Sequence, residues 1–233
     1  MINSQRLLKP VAFLLSLFMM LGVLSACAPV LIGGAATTTA VVAVDRRTTG
    51  EQVEDKSIQL KASSEARKIL DEKPGRVNTS SYAGRVLLTG DVPSEEDRSK
   101  IVEQVSQIDK VIQVIDRLRV GEPTEIGVRS NDTWITTKAL SNLINTKGVP
   151  TRTMNVTTER GVVYLQGRVT PEEGERAAKV VSGVPGVNEV VKLFEDIQLD
   201  DLEEDGSIKE DFAKKSQGKS SAPRVEPEAI PVQ

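Results

Sequence analysis

Histidine is absent from this 233-residue chain, and cysteine occurs once, at Cys27. Together these absences exclude imidazole acid/base catalysis, Cys–His nucleophiles, His/Cys zinc sites and any disulfide within the chain. Aromatic residues make up 3% of the chain, and the single tryptophan is Trp134. With 39% hydrophobic content, that scarcity suits two small cores better than one large one. Basic charge is also short: the net charge is −3, and residues 1–26 hold Arg6 and Lys9 but no acid, so the remainder is more negative still. A nucleic-acid partner, which needs a basic field, is not expected. Nor is an enzyme, because no nucleophile–base pair or metal cluster survives this inventory.

Arg6 and Lys9 precede an apolar stretch from Val11 to Leu24. It is too short and wrongly flanked for a transmembrane helix and has the form of a signal peptide. Leu24-Ser25-Ala26-Cys27 resembles the lipobox of bacterial lipoproteins. That resemblance implies cleavage after residue 26, with a diacylglycerol and an N-acyl chain on Cys27 as the covalent groups and no other cofactor. With Ala28 rather than aspartate next, it also implies sorting to the outer membrane, on its periplasmic face. Three acyl chains make such an anchor effectively permanent, where one is marginal. Residues 27–50 carry Gly33-Gly34 and a threonine run and read as a flexible tether.

The rest of the chain is dominated by a duplication. Gly84-Arg-Val-Leu-Leu-Thr-Gly-Asp-Val92 lies over Gly161-Val-Val-Tyr-Leu-Gln-Gly-Arg-Val169, and the same register pairs Lys61-Ala62 with Lys138-Ala139, Asn78 with Asn155 and Glu95-Glu96 with Glu172-Glu173. One deletion later, Val111 and Val114 fall over Val187 and Val190. Each copy parses as helix (57–71, 132–146), strand (76–82, 153–159), strand (85–90, 162–167), helix after Pro93 or Pro171, and strand (111–119, 187–195). Gly84 and Gly161 suit a tight hairpin turn, and Gly90 and Gly167 are read as closing the second strand. The paired glutamates fall in a first helical turn, near the positive end of the dipole, and read as helix starters rather than as an acid pair of the glycosidase kind. Domains are expected at 51–121 and 130–198, with a linker at 122–129.

Two copies of Gly-x-Val-x-Leu-x-Gly-x-Val, each followed by a helix and a Val-x-x-Val strand, resemble the BON domain. A lipobox followed by two such domains is similar to a class of outer-membrane lipoproteins, and the nonapeptide Ser130-Asn-Asp-Thr-Trp-Ile-Thr-Thr-Lys138 carries that likeness furthest. The fold implied is α+β: tandem BON domains, each αββαβ, with two helices on a three-stranded mixed sheet.

Comparison of the duplicated helices separates core from other demands. Ile58/Ile135, Ala62/Ala139 and Ala66/Leu143 form a shared apolar stripe. Trp134 lies roughly opposite it at 100° per residue, and Leu140 and Ile144 extend the apolar arc towards it, where the first copy has Ser57, Ser63 and Arg67. One use for Trp134 is to fill the junction between the domains or to lie under the linker. The other is a membrane interface, where an indole sits among headgroups and a nearby lysine meets phosphate. The family resemblance implies the second: anionic phospholipid, phosphatidylglycerol in particular, bound by Trp134, Thr137, Lys138, Ser141, Ile144 and Asn145. Because the chain is acidic, such affinity must be local, from Lys138, Lys147, Arg129 and the helix start.

By the same resemblance the protein supports outer-membrane integrity, at division sites. The rival expectation is a scaffold for outer-membrane assembly or peptidoglycan-remodelling proteins. A monomer is expected in either case. Residues 199–233 read as an acidic, mostly disordered tail with a short helix around Ile208 to Lys215. Asp201-x-Glu203-x-Asp205-Gly206 has the look of a calcium loop, but Phe212 stands where a bidentate glutamate is needed, so no metal is expected there.

Overall fold

The computed structural model describes residues 45–212 and the backbone of residues 228–231; the lipobox and Cys27 lie outside them. The first domain runs α1 (Thr49–Leu70), β1 (Arg76–Tyr82), β2 (Arg85–Val92), α2 (Glu95–Ser106) and β3 (Gln113–Val120). The second repeats it as α3 (Ile126–Asn145), β4 (Met154–Glu159), β5 (Val162–Val169), α4 (Pro171–Ser182) and β6 (Glu189–Asp196). In each sheet the middle strand pairs antiparallel with its hairpin partner and parallel with the strand that follows the second helix. The parallel pairing follows from the helical crossover. The αββαβ reading holds for both copies.

The apolar stripe of each first helix is buried: Ile58, Ala62 and Ala66 against Val86, Leu88, Ile101 and Val105, and Ile135, Ala139 and Leu143 against Val163, Leu165, Ala177 and Val181. The hairpins turn on Ala83-Gly84 and Arg160-Gly161, all four with positive φ, as a two-residue turn that follows the sheet twist requires. Each turn is held by a carboxylate from the first helix. Asp55 accepts from Ala83 N (2.8 Å), Gly84 N (3.0 Å) and the Ser81 hydroxyl (2.6 Å), and Asp132 accepts from Arg160 N and Gly161 N (both 2.8 Å). These two aspartates stand at the same offset as the rest of the duplication.

The structure corrects the expected bounds in several places. Both first helices begin earlier, at Thr49 and Ile126: the opening turn of α1 is held by a cap and by the second domain rather than by an apolar stripe, and that of α3 is exposed, with no side-chain cap. Thr48 and Glu51 form a capping box, and helix α3 takes up half of the expected linker. Gly90 and Gly167 do not close their strands, since β2 and β5 run two residues further. They are glycines because the edge strand comes so close: a Cβ on Gly167 would lie 2.6 Å from the Thr153 carbonyl. The tail, expected to be mostly disordered, continues through a 3-10 turn at Leu199–Asp201 and a bridge between Leu202 and Ile208. Backbone β7 (Glu228–Pro231) then adds a fourth strand, antiparallel, on the outer edge of β6. Residues 210–212 are helical.

The faces of the two sheets turned away from their helices meet each other. Leu87 and Ile115 of the first domain close on Val162, Tyr164, Val191 and Leu193 of the second. Burial there pushes the Tyr164 hydroxyl up to about 12. Around this cluster the start of each first helix reaches the other domain. Arg168 on β5, fully buried, makes a two-pronged pair with Glu51 (3.0 and 2.8 Å) and a bond to Glu195 (2.9 Å). Arg46 is likewise two-pronged on Glu173 (2.7 and 3.0 Å) and also donates to the Arg168 carbonyl (3.0 Å). At the duplicated position of Arg168 the first domain has Asp91, also fully buried, which accepts from the N–H (2.7 Å) and hydroxyl (2.6 Å) of Thr124 and from Arg119 Nε (2.8 Å).

Two expected outcomes follow from these contacts. Asp132→Ala removes the acceptor of two turn N–H groups and lowers unfolding free energy by about 3 kcal/mol, read by urea denaturation; Asp55→Ala does at least as much. Burial opposes ionisation of Asp91 and Glu173, yet their hydrogen bonds and arginine partners hold both below the ordinary carboxylate range. A depressed folded-state value gives stability that is whole above the unfolded value of about 4 and is lost as pH falls through the folded one. Stability is therefore level near neutrality and drops below about pH 4, and Asp91→Asn removes part of that acid-side slope in urea titrations.

Candidate membrane-contact face

Helix α3 has a buried side set by Asp132, Ile135, Ala139 and Leu143. At 100° per residue, Ile144, Thr137, Ser141, Trp134, Asn145 and Lys138 fall within an arc of about 120° on the opposite side, and all six are exposed. Trp134 is 45% exposed. It neither fills the junction between the domains nor lies sealed under the linker. Lys138 Nζ stands 5.7 Å from the centre of its ring, within range of a cation–π contact. Ile144 is 69% exposed and Ile126, at the same angle about five turns earlier, is 75% exposed; Leu140 is half-buried on the flank. The expected residues are thus together on one surface, while Cys27 falls outside the described residues.

The electrostatics of this surface are set by what α3 lacks. Its one acid, Asp132, is turned inward onto the hairpin. Among the described residues no ion pair involves Arg129, Lys138 or Lys147, so their charges are available on an otherwise acidic protein. The polar side chains are quiet: Thr137 donates to the Thr133 carbonyl (2.9 Å) and Asn145 to the Ser141 carbonyl (2.8 Å), so each closes onto its own helix. No helix among the described residues is long and apolar enough to cross a membrane.

The contrast between the sister helices is less sharp than their alignment suggests. Helix α1 is polar where α3 has Trp134, but it exposes Val53 and Leu60, the latter 70% exposed. Both occupy the outward face of α1 that corresponds to Ser130 and Thr137 of α3. Ile126, expected in the linker, belongs to the outward face of α3 as its first residue; its spacing from Ser130, Thr133 and Thr137 is the signal for it in the sequence.

The repeated αββαβ unit is the BON domain: the family model for it matches residues 55–122 and 131–195, and the chain belongs to that family. Among similar proteins, the Outer membrane lipoprotein DolP of Haemophilus influenzae is 35% identical over 172 residues, 73% of this chain and 89% of that protein. A 21 kDa hemolysin of Actinobacillus pleuropneumoniae is 32% identical over 66% of this chain and 80% of its own length. The Osmotically-inducible protein Y of Escherichia coli is 32% identical over 45% and 54% respectively. Of solved structures, the C-terminal domain of CdsD from Chlamydia trachomatis covers 60% of this chain at 11% identity, with a TM-score of 0.26, which is too slight to carry an argument.

Because Trp134 stands outside the core, Trp134→Ala changes unfolding free energy by less than about 1 kcal/mol. The indole emission of the unaltered protein is quenched readily by acrylamide, and the two measurements together check its placement.

Proposed function

We propose that the protein is an outer-membrane lipoprotein with two BON domains, anchored through acyl chains on Cys27 and facing the periplasm, whose helix α3 docks on anionic phospholipid. It acts by binding, without catalysis. Similarity to DolP over most of the chain supports the lipoprotein class and the outer membrane. The observation that carries the lipid reading is the exposed Trp134 with Lys138 beside its ring, on a helix face free of acid. An indole at the headgroup level buries its apolar body and leaves a polar tip wet, while lysine meets phosphate. Ile126 and Ile144 supply apolar contact at either end. Phosphatidylglycerol is the lipid assigned, with support of outer-membrane integrity at division sites as the role.

The affinity of such a face alone is modest, and lipidation makes it effective by keeping the protein at the surface. A second reading, docking to an outer-membrane assembly or peptidoglycan-remodelling protein, is favoured by one observation: Val53 and Leu60 on α1 are exposed among the described residues.

Liposome flotation of the chain from residue 28 onward, which contains every described residue, separates them. Vesicles containing phosphatidylglycerol carry it up and neutral vesicles do not. Trp134→Glu abolishes flotation, and Lys138→Glu weakens it by about tenfold, one charge reversal near the surface being worth roughly 1–2 kcal/mol. Flotation untouched by Trp134→Glu would refute the face; loss on Val53→Glu and Leu60→Glu instead would move the contact to α1.

A further inference from the structure

The duplication produces two corresponding clefts, each between the first helix of one domain and the first strand of the other. One lies between α1 and β4, with Arg47, Gln52, Val53, Gln59, Ser81 and Asn155 among its lining and a volume of about 350 Å³. The other lies between α3 and β1, with Arg129, Ser130, Thr136, Thr158 and Asn78 at the matching positions and a volume of about 470 Å³. Both are in the size range of small-ligand sites. They differ in how far the protein answers its own polar groups.

The α1 cleft is closed from within. Arg47 covers the Tyr82 ring at 4.3 Å and pairs with Asp55 at 2.9 Å. Gln52 donates to the Arg47 carbonyl and Gln59 to the Thr79 carbonyl. In the α3 cleft the position of Arg47 is taken by Thr124, whose N–H and hydroxyl are both spent on Asp91, so the space stays open. The acids there are already occupied: Asp132 holds the hairpin turn, and Glu159 accepts from Arg76 and from Asn78 Nδ2. What is left over is the charge of Arg129, that of Arg76 being already met by Glu159. Arg129 has no ion pair among the described residues, and the buried Nε of Arg76 has no partner. Hydroxyls of Ser130, Thr133 and Thr158 stand around them.

We propose that this cleft is a binding site for a phosphate ester carrying neighbouring hydroxyls, of which phosphoglycerol is the simplest. One guanidinium neutralises one phosphate charge, and amide and hydroxyl acceptors take the donors of the polyol. Ile126, Ser130 and Thr133 border both the cleft and the exposed face of α3, so a headgroup in the cleft belongs to a lipid whose bilayer meets Trp134. The inference rests on the lipid reading for the source of the ester, and on the cleft alone for its chemistry.

The test uses the chain from residue 28 onward in two arms. In the first, amide and side-chain NMR signals are followed during titration with glycerol 3-phosphate and, separately, inorganic phosphate. Glycerol 3-phosphate shifts Arg129, Ser130, Thr133, Thr158 and the Asn78 side chain more than phosphate does. Arg129→Gln, which installs the residue of the sister cleft, weakens binding by about tenfold, as expected for one charge-assisted contact. In the second arm, vesicles of phosphatidylglycerol are compared with phosphatidylserine vesicles of equal charge. Arg129→Gln reduces the preference for phosphatidylglycerol, whereas Trp134→Glu reduces binding to both. No perturbation of the cleft, or one that phosphate matches, overturns the proposal. Flotation lost with Trp134→Glu but indifferent to headgroup overturns the cleft and leaves the face standing. Titration of the cleft without any flotation supports the cleft, assigns it a soluble ester and overturns the lipid reading.

Discussion

A guanidinium with no access to water ties this protein together. Arg168 comes from the middle strand of the second sheet, and the carboxylate that answers it, Glu51, comes from the first turn of the first domain's opening helix. Taking an arginine out of water is tolerable only where carboxylates and further acceptors surround it, and here Glu195 and the Arg46 carbonyl are among them. The pair therefore fixes more than a contact. It fixes where helix α1 begins, how Arg46 reaches Glu173, and which faces of the two sheets close on one another. Burial works against the charge of Arg168, but its carboxylate partners raise its affinity for the proton above the ordinary arginine value, so the charge persists at every accessible pH.

That closure determines what remains for function. With the bare faces of the sheets used against each other, the outward sides of the helices and the seams between domains are the surfaces left to meet a partner. Helix α3 combines both: its outer face carries Trp134, and its flank borders the open seam with β1. The second property does not belong to one BON domain alone, since the seam needs a strand from the other copy. A tandem arrangement thus supplies a cleft that a single copy lacks.

Much of the fold was legible because the duplication tests each assignment twice. A stripe that is apolar in both helices had to be core, and a glycine repeated between two strands had to be a turn. The candidate face was legible by difference, as the positions where one copy departs from that shared requirement. The helix starts were not, although Thr48 and Glu51 have the spacing of a capping box; no apolar periodicity marks the opening turns, and Arg168, the partner of Glu51, lies more than a hundred residues away. Asp55 and Asp132 were equally present at constant offset, but an aspartate within a helix reads as a solvated face until the hairpin beneath it is seen. The clefts were beyond reach, being made from elements of two domains, as was the added strand at 228–231.

The reversal of charge between Asp91 and Arg168 makes the two modules unlike in the one respect that governs whom they can marry. If a second domain met a copy of itself, the place of Glu51 would be held by Val128, and a buried arginine would face an aliphatic chain. If a first domain met its own copy, Glu51 would face Asp91, carboxylate against carboxylate. Each module is thereby barred from its twin and matched to a module of the other kind.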